Sequence, residues 1–175
     1  MRNFKVQITV AALAGLTMLS ACGQSGDTDA TSEATEETAS ATLPNGMTVK
    51  DQIEARQGQL KKVGKAFKTI IDQSKSDSPD MAAIQAATAS ITAETEGMAD
   101  WFPEGTGPDS GIETDALPII WDEKEDFLQK VSDMQEAAAK LDAAAQSGDA
   151  EAIGAAFKTA GGTCKSCHDK YRLDD

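Results

Sequence analysis

The sequence predicts an all-α fold, an antiparallel up-down-up-down four-helix bundle, and three observations carry that expectation. Four segments repeat apolar residues at helical spacing. No segment with strand-like alternation competes with them. The links are short except for one Pro/Gly-rich connection before the third segment.

At 175 residues the chain has room for one domain with appendages. Residues 1–21 begin with Arg2 and Lys5, continue as an apolar run over 6–19 and end in small residues. This reads as an export signal, since the run is too short for a comfortable membrane span; a buried core helix is the alternative. The signal ends in LSAC, which resembles the lipobox of bacterial lipoproteins. That resemblance implies that Cys22 is diacylated, becomes the mature N-terminus and anchors a periplasmic protein to a membrane. It also accounts for the odd one of three cysteines. Ordinary cleavage near Ala21, leaving Cys22 free, is the alternative. Gly23 after the cysteine leans by resemblance toward the outer membrane, without deciding between inner and outer.

Residues 22–46 continue as GQSGDTDATSEATEETASATLPN after the cysteine, with no aromatic or basic side chain. Such composition buries too little apolar area to offset its ordering entropy, so it is expected to be a disordered acidic tether. The bundle is then residues 47–175.

In the first segment Val49, Ile53, Arg56, Leu60, Val63, Phe67 and Ile70 recur at steps of four and three, and all but Arg56 are apolar. The second, over 78–98, carries a weaker stripe of Met81, Ile84, Ala87, Ile91 and Met98, with Asp77, Ser78 or Asp80 as caps beside Pro79. The third runs Phe127, Val131, Met134, Ala138 and Leu141. The fourth runs Ile153, Phe157, Ala160, Cys164, His168 and Tyr171. Helices of roughly 20 to 25 residues are expected from these stripes.

Residues 47–175 hold 14 Lys plus Arg against 24 Asp plus Glu, a net charge of −10. Nucleic acid and an anionic bilayer face are unfavourable partners for such a domain. Solubility accounts for the charge, or a basic electron-transfer partner does.

The fourth stripe carries Cys164, Cys167 and His168, a C-x-x-C-H motif that holds the only histidine of the chain. This spacing reads as a c-type haem attachment site. Two thiols add across the haem vinyl groups as thioethers, and the adjacent imidazole coordinates iron. Cys164 and His168 are one helical turn apart and project to the same side. A zinc site lacks the ligands it needs, and a disulfide redox motif lacks its βαβ context. Only DKYRLDD follows the histidine, so a sixth iron ligand has to come from an earlier helix.

Over residues 47–175 the chain resembles the cytochrome c′ family. The resemblance rests on Arg56, Gln57 and Leu60 in the first helix, the loop WFPEGTGPDSGIETDALPIIW, and CKSCHDKYR near the end. It implies one covalent haem c with His168 as the sole protein ligand and Leu60 covering the other iron face. Leucine has no donor atom, so five-coordinate, high-spin iron follows; six-coordinate relatives carry methionine there. Arg56, costly at a seam without an anion, is implied to meet the haem propionates together with Gln57, while surface pairing with Asp51 or Glu54 is the alternative. Thr114 and Asp115 match positions near the haem edge, or form a turn before Pro118. Asp115 cannot pair with a propionate unless it is protonated or uses its backbone. Trp101, Phe102 and Trp121 wall the haem or pack the core. Tyr171 and Arg172 cover the proximal face or serve as helix-end residues.

Two functions remain: a haem protein binding small diatomic gases, nitric oxide above all, or a six-coordinate electron carrier in which Met98 or Met81 is the sixth ligand. A non-haem structural lipoprotein bundle is the third reading. No base, nucleophile or second metal site suggests an enzyme. The redox partner stays unidentified, and a homodimer stays open.

Overall fold

In the computed structural model the described residues are 37–173, so the expected signal, Cys22 and most of the expected tether lie outside them. The four expected helices are α1 Val49–Ser74, α2 Met81–Thr95, α3 Lys124–Ser147 and α4 Ala150–Tyr171. Among the described residues the only extended pairings are two isolated bridges, Thr42 to Thr48 and Ala116 to Arg172.

Part of the segment expected to be tether carries local structure. Residues 37–40 form a helical turn. Leu43 N–H donates to Met47 O at 2.8 Å, and Val49 N–H donates to Ala41 O at 3.0 Å. Asn45 Nδ2 also reaches Gln52 Oε1 at 2.8 Å, and Gln52 is buried although polar. Backbone pairing and one buried amide hold residues that composition alone assigns to the tether.

Each helix starts where side-chain chemistry allows it. Thr48 accepts from Asp51 N–H to open α1, Asp80 from Ala82 and Ala83 to open α2, and Asp149 from Glu151 and Ala152 to open α4. Gly148, at φ +72°, ends α3 in the left-handed conformation and makes the two-residue link to α4 possible.

At 15 residues α2 is shorter than expected. Its last carbonyls are taken by α3: Gln135 Nε2 donates to Thr95 O at 2.7 Å and to Glu96 O at 3.1 Å. Gly97 follows, and Met98 sits in a separate 3₁₀ turn, Met98–Asp100, not on the α2 stripe.

The packing is sequential: α1 lies on α2, α2 on α3 and α3 on α4. Two apolar clusters form instead of one. The larger gathers Ile70, Ile84, Ile91, Leu141, Ile153 and their neighbours, while the smaller gathers Ile120, Phe127, Val131 and Tyr171. Near the larger cluster, α1 and α4 meet through Phe67 and Phe157, whose ring centroids are 5.5 Å apart. Toward the other end the space between these two helices is a cavity.

A candidate haem site between the first and last helices

The cavity has a volume of about 770 Å³, far above the voids that close-packed interiors tolerate. Its wall on α4 holds Cys164, Cys167 and His168; its wall on α1 holds Arg56, Gln57 and Leu60; α3 closes the back with Phe127, Val131 and Met134. Residues more than a hundred positions apart in sequence thus converge on one space. The α4 stripe places the motif there because Ala160 and Tyr171, on the same face, are buried on either side of it.

The donor set suits a haem. Both thiols are free and half-buried, and burial raises their pKa values, that of Cys167 to about 11, so both stay protonated at neutral pH. Neither is tied up in a disulfide, as thioether formation requires. The His168 ring is accessible, and neither nitrogen has a hydrogen-bond partner among the described residues. Partial burial, and then the charge of Arg172, lowers its pKa, which favours the neutral imidazole whose lone pair can ligate iron.

Arg56 supplies the strongest observation. It is 2% exposed, and burial pushes its pKa down to about 10. Its Nη1 donates to Thr106 Oγ1 at 2.9 Å, and its Nη2 donates to Thr106 O at 2.7 Å and Thr114 Oγ1 at 2.8 Å. The guanidinium lies over the Phe102 ring, 4.8 Å from its centroid. All these oxygens are neutral, so a buried cation at the cavity wall has no carboxylate partner among the described residues. The alternative of surface pairing with Asp51 or Glu54 is therefore not what the side chain does. A group bringing its own carboxylates into the cavity would supply the missing charge.

The remaining expected residues divide. Gln57 donates from Nε2 to Glu113 O at 3.0 Å, tying α1 to the loop. Thr114 lines the cavity and accepts from Ala116 N–H at 3.2 Å, in the turn before Pro118. Asp115 is exposed and pairs with Arg172 Nε at 3.4 Å, while its carbonyl accepts from Leu173 N–H. Tyr171 is 2% exposed and donates to Asp126 Oδ2 at 2.6 Å. Both Tyr171 and Arg172 line the cavity near His168.

Of the three aromatic candidates, only Phe102 lines the cavity. Trp121 donates to Phe102 O and Pro103 O, and its ring lies against Gly107, where an added Cβ would meet it at 2.9 Å. Trp101 lines a separate cleft beside Gln52 and Asn45. Met98 and Met134 line the cavity, whereas Met81 packs against the larger cluster.

Sequence reasoning missed Thr106 and Asp126. Neither carries a local signal, because each matters only through a partner 45 or 50 residues away.

Comparison with known proteins agrees with this geometry. The family described as Cytochrome C′ matches residues 51–172. A cytochrome c-554 from Cereibacter sphaeroides is 33% identical over 134 residues, covering 73% of this chain and 96% of the relative. The atomic structure of a cytochrome c′ with an unusual ligand-controlled dimer dissociation superposes with a TM-score of 0.68 at 31% identity, covering 74% of this chain and 99% of the other. The nitric oxide complex of a leucine-to-alanine mutant of cytochrome c prime from Alcaligenes xylosoxidans gives a TM-score of 0.64 at 30% identity, covering 73% and 97%.

Proposed function

Because this chain belongs to the cytochrome c′ family and is a c-type cytochrome with one covalent haem c, we propose that it holds five-coordinate, high-spin iron and binds small diatomic gases, nitric oxide in particular. The observation carrying this reading is Leu60. It shares the cavity with His168 from the opposite helix and brings no donor atom. When bound, the haem supplies an iron that cycles between ferrous and ferric and accepts a diatomic at its free face.

The chain's own residues would then divide the work. Cys164 and Cys167 hold the ring covalently, His168 presents a neutral nitrogen, and Arg56 with Gln57 meets the carboxylates. Leu60, Phe102 and Val131 make the cavity wall apolar, which would reject anions and favour neutral ligands. Electron transfer and gas binding, rather than turnover of a substrate, are the roles this donor set serves.

The test is an absorption and EPR comparison of ferric and ferrous protein with and without nitric oxide. High-spin resting iron and a saturable nitric oxide complex are expected. A second reading has its own observation: Met98 lines the same cavity and carries a thioether. Low-spin resting iron that becomes high-spin in Met98→Leu would select that six-coordinate electron carrier instead.

Export, lipidation at Cys22 and periplasmic membrane attachment are proposed on the signal-like N-terminus and LSAC alone. No helix among the described residues is long and apolar enough to cross a membrane. Cys22→Ser is expected to release the protein from the membrane fraction with its haem still attached. Wild type that already fractionates without detergent would contradict the anchor. The ligand-dependent dimer of a relative motivates sedimentation with and without nitric oxide to test whether this chain pairs with itself.

A further inference from the structure

The charge of the domain is unevenly spread. Residues 57–71 of α1 and 152–168 of α4 hold six lysines and no carboxylate, while the rest of 47–175 holds eight basic residues against 24 acidic ones. On α1, Gln57, Lys61, Gly64 and Lys68 follow steps of four, three and four; on α4, Lys158, Gly161, Lys165 and His168 follow three, four and three. Each set is therefore one stripe on its helix. Gln57, Lys61, Gly64, Gly161 and His168 line the cavity, so the two stripes are its two lips.

The lips are in register. Lys68 adjoins Phe67 and Lys158 adjoins Phe157, the ring pair that joins the antiparallel helices. One turn or two further along, Gly64 matches Gly161 and Lys61 matches Lys165. The lysines thus stand at matching levels on the two helices, and their fields add over the groove between them. Added Cβ atoms at Gly64 and Gly161 would meet nothing within 4 Å, so the floor between the lysines is flat and open.

These charges are available. Lys61 and Lys158 have no ion pair among the described residues. Lys68 pairs with Asp72 and Lys165 with Asp169 along their own helices, but all four side chains are more than half exposed, where such pairs hold weakly and exchange readily.

We infer that the basic lips of the cavity are a docking surface for an acidic protein that exchanges electrons with this cytochrome. The net charge of −10 points to a basic partner, whereas the cavity that holds His168, lined by Lys61, Lys130 and Arg172 against Glu113 and Asp115, points to an acidic one, and contacts are steered by the local field within a Debye length. The stripes run for about 16 Å, eleven residues at helical rise, which suits a small, transient encounter. The inference rests on the haem occupying this cavity.

Its test uses haem-loaded protein, reduced with dithionite and freed of excess reductant, then mixed with ferricyanide. One electron passes from ferrous iron to ferricyanide, leaving ferric protein and ferrocyanide. The wild-type rate is expected to fall as salt rises, and the rate with a cationic cobalt(III) chelate to rise. Charge reversal in the double variant Lys61→Glu, Lys158→Glu is expected to slow ferricyanide about tenfold at low salt and to invert the salt trend.

A haem-independent arm measures fluorescence anisotropy of labelled poly-glutamate, which should bind wild type and not the double variant. A wild-type ferricyanide rate that rises with salt overturns the inference, as does a double variant indistinguishable from wild type. Two other occupants also overturn it: anionic phosphatidylglycerol vesicles that bind when poly-glutamate does not, and a wild-type dimer that the double variant abolishes. Denaturing gels for covalent haem, run first, report separately whether the haem reading itself holds.

Discussion

Leu60 and Arg56 sit one turn apart on α1, and both break the pattern of an ordinary bundle seam. Arg56 is a buried cation without a carboxylate; Leu60 lines the cavity without joining either packed cluster. A leucine that supports no core is free to act as a steric gate. Trimming it to alanine lowers the cost of admitting a diatomic, so Leu60→Ala is expected to speed carbon monoxide and nitric oxide association. Because few contacts are lost, the stability cost should lie near the low end of large-to-small changes, about 1 kcal/mol. Stopped-flow rates and thermal melts check both parts. Leu60→Met adds a thioether and should push the iron toward low spin; a spectrum unchanged from wild type would show that this side chain does not cover the iron.

Among the elements, the end of α4 is held by groups that reach across from the start of α3 and from the loop before it. Tyr171 O–H and Lys170 Nζ both bond Asp126 Oδ2, Lys170 also pairs with Glu123, and Leu117 N–H bonds Tyr171 O. The Tyr171 bond, then the Lys170 bond, holds Asp126 below its ordinary carboxylate pKa of 3.8. A depressed carboxylate contributes stability above its unfolded pKa and loses it as pH falls through the lower folded value. The latch is therefore intact at neutral pH and is lost only as pH falls below the ordinary carboxylate value of 3.8, loosening the helix end that bears His168. Tyr171→Phe should weaken this acid dependence and lower stability already at neutral pH, read from denaturant midpoints at neutral and at acid pH.

The latch also marks the limit of what the sequence shows. The four stripes, the Asp80 cap and the motif's placement on α4 follow from local periodicity and chemistry. The early end of α2 does not, since Gln135 captures carbonyls from forty residues away, and neither does the folding of residues 41–47 onto Gln52. At the site, Cys164, Cys167 and His168 stand out by the C-x-x-C-H spacing and Arg56 by interrupting an apolar stripe, whereas Leu60 continues its stripe and is singled out only by the family resemblance. Thr106, Asp126 and the uneven lysines became legible only when the helices were side by side.

For the whole molecule, the two apolar clusters and the gap between them mean that the bundle is built around something it does not itself supply. At about 24 cal/mol per Å³, a dry void of 770 Å³ would cost on the order of 18 kcal/mol. That exceeds the roughly 5–15 kcal/mol by which a domain is stable. The mouth admits water, so the real cost is smaller, yet the half-buried Leu60 and Phe102 would then be hydrated on the cavity side rather than packed.

Filling the cavity with a covalent ring is thus a folding term as well as a functional one. Cys164→Ala with Cys167→Ala should abolish covalent haem and leave a chain with helical far-UV circular dichroism, a lowered and broadened thermal transition, and binding of ANS at the exposed apolar walls. The damage should be uneven. Amides of α2 and α3 near Leu141 belong to the larger cluster and should keep their hydrogen-exchange protection, whereas those of α4 beyond Ala160, which borders the gap, should lose it. Uniform protection with an unchanged melting temperature would mean that the helices close the gap unaided.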